Sequence, residues 1–463
     1  MTMADVSSQA AAGAFRRRGF FVLGMHRSGT SVAAGVLSLL GITPPSTPMP
    51  STPDNPKGYF ESRKLQRFHD LVLADLGSRW DDWRSIDEAR SHSPGADDIF
   101  ARAVELLKSE FLHAHAFVLK DPRVCRIPGL WLEVFQACAV APYVILPFRH
   151  PEEVAGSLAR RDGMAMDKAL LIWLRHVIDA ERLSRGCLRA ALDMDEVLAD
   201  WRGAFARIGE QLSADWNQEM AAAGAAIDAF VDPVLRSVRR APEAQPGLLL
   251  GLARDAYAAM VALRSDPQDV AAIIALDGIG SRLDSLAALI DAGPGAAPAV
   301  EPGLVAEAAR IAGQIGARPA PAIVDPVARR LSLVAALNAD RLAWLTETID
   351  DMARAGAVQR AQIAELAGRE PAALEAVGQA AQVQALKRER DALAERCAAL
   401  ESDLAAATAD ASRRQVEQET CEAALLDVLE RHAALERRYE ELERRIGEAE
   451  PRRGALIRRL TGE

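Results

Sequence analysis

Residues Gly24-Met25-His26-Arg27-Ser28-Gly29-Thr30-Ser31 place two glycines, a basic residue and three hydroxyls between an apolar run and a helical stretch. Glycines let the backbone curl so that successive N–H groups face one anion, and the start of the next helix adds its positive end. The glycine spacing is that of a Walker-type phosphate loop, but Thr30 stands where that loop requires lysine. Without the cation that bridges β- and γ-phosphates, an ordinary ATPase or kinase is disfavoured. Arg27 can supply positive charge from within the loop instead. A glycine turn that merely joins strand to helix is the alternative.

A strand and a helix must hold such a loop. Gly19 to Gly24 is a β-type run followed by a helical stretch from Thr30 to Leu40. Ala116 to Lys120 is a second run, with a helix from Leu130 to Cys138, and Pro142 to Leu146 a third. Its helix opens at Pro151, where proline suits the first helical position. Buried strands alternating with helices predict an α/β fold, a parallel sheet flanked by helices. Ligands of such sheets bind beyond the carboxyl ends of the strands. Between the first helix and the second strand, Thr43 to Pro56 holds six prolines and must be an irregular loop.

The chain has 463 residues and a net charge of −10, which argues against a nucleic-acid binder held by phosphate neutralisation. Its five cysteines are scattered without a CxxC pair, so no disulfide framework or structural zinc site is expected. Arginine-rich, alanine-rich usage suggests a bacterial source. No segment reaches the roughly 18 apolar residues of a membrane span, and Gly19 to Gly24 is too short for the core of a secretory leader. A cytoplasmic location is the expectation.

The run Phe21-Val22-Leu23-Gly24-Met25-His26-Arg27-Ser28-Gly29-Thr30-Ser31 resembles the 5′-phosphosulfate loop of the sulfotransferase family, P-loop type. Members carry Lys or Arg followed by Ser-Gly-Thr after the first strand. They transfer a sulfuryl group from 3′-phosphoadenosine 5′-phosphosulfate (PAPS) to a hydroxyl or amine, releasing adenosine 3′,5′-bisphosphate (PAP). The resemblance implies donor contacts from His26, Arg27, Ser28, Gly29, Thr30 and Ser31. A second family element is an Arg at a later strand end with a Ser eight residues on, at the donor's 3′-phosphate. Here Val144-Ile145-Leu146-Pro147-Phe148-Arg149-His150-Pro151 precedes Ser157 at that offset. A guanidinium at a strand end and the following helix start make an anion site; an Arg capping the sheet edge is the alternative. Arg160 and Arg161 read better as a solvated helix face.

Asn55-Pro56-Lys57-Gly58-Tyr59-Phe60-Glu61-Ser62 matches a segment of similar bacterial members. The resemblance implies Glu61 as general base, against a plain first-turn acid favoured by the helix dipole. Lys120, in Val118-Leu119-Lys120-Asp121-Pro122-Arg123, matches a family Lys-x-Pro element that sets a cation beside the transferring group. The alternative pairs Lys120 with Asp121. Glu61, Lys120 and Arg27 are thus the implied catalytic residues, with Arg123 left open and no metal required. His69-Asp70 and His113-x-His115 read as core or surface residues, and Trp80-Asp81-Asp82-Trp83 as core rather than a sugar platform. Met194 to Trp201 resembles the family's strand-to-helix step after the 3′-phosphate helix.

Only Tyr257, Trp344 and Tyr439 among the 23 aromatics lie beyond residue 240. The expected organisation is a sulfotransferase-like domain over 18–240, an Ala-rich helical region with linkers over 241–374, a coiled coil over 375–450 and a short basic tail over 451–463. Leu386, Leu393 and Leu400 open one heptad seam and Val383 the other, weakened at Arg414 and Gln418. A homodimer through this coil is expected. The function expected is PAPS-dependent sulfuryl transfer, with a carbohydrate as the acceptor. The competing readings are a non-catalytic nucleotide-binding scaffold and a P-loop sugar or nucleoside kinase.

Overall fold

The computed structural model describes residues 15–315 except 54, 87–95, 112–113, 128, 232–246 and 293–301, together with 332–340, 343 and 354. It divides into two compact units, Met1–Ala322 and Ile323–Glu463. In the second unit, residues 332–340 are helical. The expected coiled coil over 375–450 and the tail over 451–463 lie outside the described residues.

The first unit is built on a parallel sheet of β1 (Arg17–Val22), β2 (Ala116–Lys120), β3 (Val140–Phe148) and β4 (Leu188–Asp193), in the order β2-β1-β3-β4. This is the α/β fold expected, a parallel sheet flanked by helices. Phe20, Phe21, Val22 and Leu23 are all buried, as a central strand covered on both faces requires. Successive side chains point to opposite faces. Phe20 stacks toward Tyr143 and Trp216 on one side, while Phe21 meets Phe135 on the other, which in turn meets Phe117. Fully burying such a ring contributes about 1.5–3 kcal/mol.

The connections from β1 and β3 diverge: β1 leads out to β2 on one side, while β3 lies on its other side and leads to β4. The crevice at this reversal is the ligand position of open parallel sheets. Val22 pairs with Ile145, and the Leu23 N–H donates to the Ile145 carbonyl (2.9 Å). The loop after β1 and the end of β3 therefore leave neighbouring strands, which run about 5 Å apart.

The flanking helices are α1 (Thr30–Leu39), α2 (Arg63–Asp75), α3 (Ala96–Phe111), α4 (Leu130–Ala137), α5 (Pro151–Asp162), α6 (Met166–Ser184), α7 (Met194–Gln211) and α8 (Asn217–Phe230). Three more, α9 (Leu248–Ser265), α10 (Val270–Ala292) and α11 (Pro302–Ile315), belong to the same unit. The sequence boundary at 240/241 thus falls inside one compact body. Helix α9 buries Leu249, Leu252, Met260 and Leu263, and α10 adds a row of ion pairs. Asp277, Asp284 and Asp291 recur every seven residues on α10, which puts them on one face. Asp277 pairs with Arg185 (2.9 Å), Asp284 with the buried Arg175, and Asp291 with Arg84 (2.7 Å).

Candidate functional site

Each strand end in the crevice carries a helix start whose N–H groups lack a side-chain cap. Gly29 is the N-cap of α1, with φ 88° and no capping side chain, and His150 holds the same place on α5. The starts after β2 and β4 are capped instead, where Asp121 accepts from the Arg123 N–H and Asp193 from that of Asp195. Uncapped helix starts expose orphan donors and the positive end of the dipole. Both are suited to anions.

The loop itself tolerates no side chains at its glycines. A Cβ on Gly24 would lie 2.6 Å from the Pro147 carbonyl oxygen, and one on Gly29 2.0 Å from Met194 Sδ. Gly29 also has the left-handed backbone that L residues avoid. Gly29→Ala is expected to abolish nucleotide binding and to lower stability by about 1–3 kcal/mol. Titration calorimetry and thermal melts check both; unaltered nucleotide affinity would contradict this role for the loop.

One cavity of about 410 Å³ gathers His26, Arg27, Gly29, Thr30, Ser31, Glu61, Lys120 and Arg149. Of the residues expected at the site, Ser28 and Ser157 are buried beside it rather than lining it. Ser157 Oγ accepts from Arg27 Nε (2.9 Å), so the loop after β1 and helix α5 are joined directly. Arg149 donates from Nε to Glu153 Oε2 (2.8 Å), while its buried Nη2 has no hydrogen-bond partner among the described residues. Buried donors without partners are rare and costly. Ser28 Oγ and His26 Nε2 are buried and unpartnered in the same way. An oxyanion entering this cavity would give the unpartnered Arg149 Nη2 an acceptor.

At the other end, Lys120 Nζ donates to Glu61 Oε1, to the Tyr59 carbonyl (3.1 Å) and to Ser31 Oγ (3.3 Å). Lys120 and Glu61 are 4% and 3% exposed, so the pair is almost wholly desolvated. Lys120 is paired with Glu61, not with Asp121 as the alternative reading had it. Burial pushes the Glu61 carboxyl above its ordinary value of 4.5 and the Asp121 charge adds to this, while the Lys120 ammonium opposes both.

Backbone strain aims Glu61. Phe60 has φ 57°, a left-handed conformation unfavourable for a bulky side chain. Its ring packs edge-on against Phe230 (5.9 Å), and both rings fill the space a side chain on Gly35 would need. Lys57 fixes the same segment to the end of α8, where Nζ donates to the Ala229 carbonyl (3.3 Å). Asn55 Nδ2 closes the turn by donating to the Gly58 carbonyl (2.8 Å).

Asp121 has other partners. His69 Nδ1 lies 2.8 Å from Asp121 Oδ2, and Trp131 Nε1 donates to His69 Nε2 (2.9 Å). Indole N–H only donates, so Nε2 is the acceptor and Nδ1 carries the proton given to Asp121. Burial alone would raise the Asp121 carboxyl, but His69 and Arg123 beside it hold it well below the usual carboxylate range. This buried chain pins the turn after Lys120. His69 and Trp83 are core residues, as expected, whereas Trp80 is half-buried with its ring 5.0 Å from that of His26.

Sequence reasoning missed several of the lining residues. Lys57, Met194, Leu198 and Arg161 also face the cavity. Arg161 was read as solvated; it pairs with Asp162 (2.7 Å) at the cavity's edge. Met194 had a signal in the strand-to-helix step at 194–201. Among the described residues, no group of three or more His, Cys, Asp or Glu is arranged to hold a metal, and no helix is long and apolar enough to cross a membrane.

No protein-family model and no curated protein matches the chain. Among solved structures it is similar to the sulfotransferase domain of the Synechococcus PCC 7002 olefin synthase, at 17% identity and a TM-score of 0.33. That similarity covers 53% of this chain and 96% of that one.

Proposed function

We propose that the chain transfers a sulfuryl group from PAPS to a hydroxyl or amine of an acceptor, with a carbohydrate hydroxyl as the leading class. One observation carries this reading. The glycine loop before α1 and Arg149, with its unsatisfied guanidinium nitrogen, line a single cavity beside a buried Lys–Glu pair. A nucleotide with anionic groups at both its 5′ and 3′ positions fits that distribution of donors. A loop lacking the Walker lysine fits an ordinary nucleoside triphosphate poorly.

PAPS supplies, when bound, an activated sulfuryl group on its 5′-phosphate. The residues of the chain do the rest. The loop from Arg27 to Thr30, with the Gly29 and Thr30 N–H groups at the start of α1, receives the 5′ end, and Arg149 with Ser157 receives the 3′-phosphate. Met194, Leu198 and Val32 give the cavity an apolar wall suited to a base or ribose. Glu61 takes the acceptor's proton. As it does so its charge is cancelled, and the Lys120 ammonium is left uncompensated beside the negative charge that develops in transfer. In a desolvated site that exposure of positive charge is a large electrostatic gain. Arg27, hydrogen-bonded to Ser157, links the two ends of the nucleotide site.

A carboxylate base works only when ionised, so activity falls as pH drops through its pKa. Because burial raises the Glu61 carboxyl above 4.5, the acidic limb of kcat/KM is expected above that value. The test of the reaction is transfer of label from sulfur-labelled PAPS to a panel of bacterial glycans and small hydroxyl compounds. Label on an acceptor supports the reading. Transfer from terminally labelled ATP without transfer from PAPS favours a kinase, and tight PAP binding without turnover favours a scaffold.

A further inference from the structure

We infer that helix α9, which lies beyond the segment resembling sulfotransferases, is a working part of the donor site, with Arg254 and Tyr257 as positioning residues for the 3′-phosphate cradle. The inference rests on reading Arg149 and Ser157 as that cradle.

The first turn of α5 presents a difficulty for an anion. It carries Glu152 and Glu153, two negative charges where the helix start would attract a phosphate. Arg149 neutralises Glu153 from within the motif. Glu152 is neutralised from α9: Arg254 donates to its Oε1 from Nε (2.9 Å) and Nη2 (2.6 Å). Without Arg254 an uncompensated carboxylate would face the same helix start.

One turn further along α9, Tyr257 supports the adjoining residues. Its ring lies 5.0 Å from that of His150 and 5.5 Å from that of Phe148, the residues on either side of Arg149. Its hydroxyl donates to Asp193 Oδ2 (3.3 Å), whose other oxygen caps α7. Met194, next in the chain, fills the space above Gly29. One tyrosine therefore braces the strand end that carries Arg149 and the corner that closes over the phosphate loop. Ala253, Ala256 and Met260 are buried along the same helix.

The test is calorimetry on the full chain with PAP and with adenosine 5′-monophosphate, which differ by the 3′-phosphate. Tyr257→Ala and Arg254→Gln are each expected to weaken PAP about tenfold and the monophosphate less than about threefold. Tyr257→Phe, which keeps the ring, is expected to retain most of the discrimination, and Arg310→Gln on α11, which breaks the pair with Asp167, all of it. Equal losses for both nucleotides, or none, in Tyr257→Ala and Arg254→Gln would overturn the inference. If thermal melts show that Tyr257→Ala does not fold, Arg254→Gln alone decides, since it removes an ion pair and opens no core cavity. A wild-type chain that does not bind PAP fails at the level of the proposed function, a result distinct from unchanged discrimination in the variants.

Discussion

Replacing Glu61 with glutamine is expected to lower kcat by roughly two to four orders of magnitude while leaving PAP affinity within about threefold of wild type. The substitution keeps size and hydrogen-bonding reach but removes the proton acceptor. The groups assigned to the nucleotide, around Gly29 and Arg149, are untouched. Lys120 loses its counter-charge in a desolvated position, yet keeps the Tyr59 carbonyl and Ser31 hydroxyl as acceptors. Some stability is therefore lost, by less than the 3–5 kcal/mol typical of breaking a buried pair outright. The acidic limb of the pH profile should vanish with the carboxyl. Single-turnover kinetics with saturating PAPS, once an acceptor is found, measures the effect; unaltered turnover would remove Glu61 from the base role.

The second large effect concerns the donor. Arg149→Ala is expected to weaken PAP by about 10- to 150-fold, the loss of a charge-assisted contact worth about 1.5–3 kcal/mol. Glu153 complicates this variant, because it is fully buried and pairs with Arg149. Removing one member of such a pair leaves an uncompensated charge. The double variant Arg149→Gln with Glu153→Gln removes both charges together and should still lose affinity. Ser157→Ala should give a smaller loss, since this hydroxyl accepts from Arg27 and pairs no buried charge. Calorimetry separates the cases: a double variant with wild-type PAP affinity would contradict the assignment of Arg149.

Strands β1, β2 and β3 were legible because Phe20–Leu23, Phe117–Leu119 and Val144–Leu146 are unbroken apolar runs, as strands covered on both faces are. Strand β4 was hidden because Arg189 interrupts Leu188–Asp193; the structure buries that arginine by pairing it with Glu181 (2.8 Å). Glycine spacing made the phosphate loop visible, since steric need at Gly24 and Gly29 is a local property. The partner of Lys120 was not visible. Glu61 lies 59 positions away, and only the assembled sheet decides between it and the adjacent Asp121. The same holds for α9: Arg254 and Tyr257 meet α5 and β4 through contacts 102 and 64 positions apart, and no local pattern announces such pairs.

The measurement closest to the central claim is a crystal structure of the full chain with PAP. The account predicts one nucleotide in the cavity, its 5′-phosphate on the loop from Arg27 to Thr30. Its 3′-phosphate should lie within hydrogen-bond distance of Arg149 and Ser157. A nucleotide bound in the reverse sense, or bound elsewhere with Arg149 still facing Glu153 alone, would contradict it.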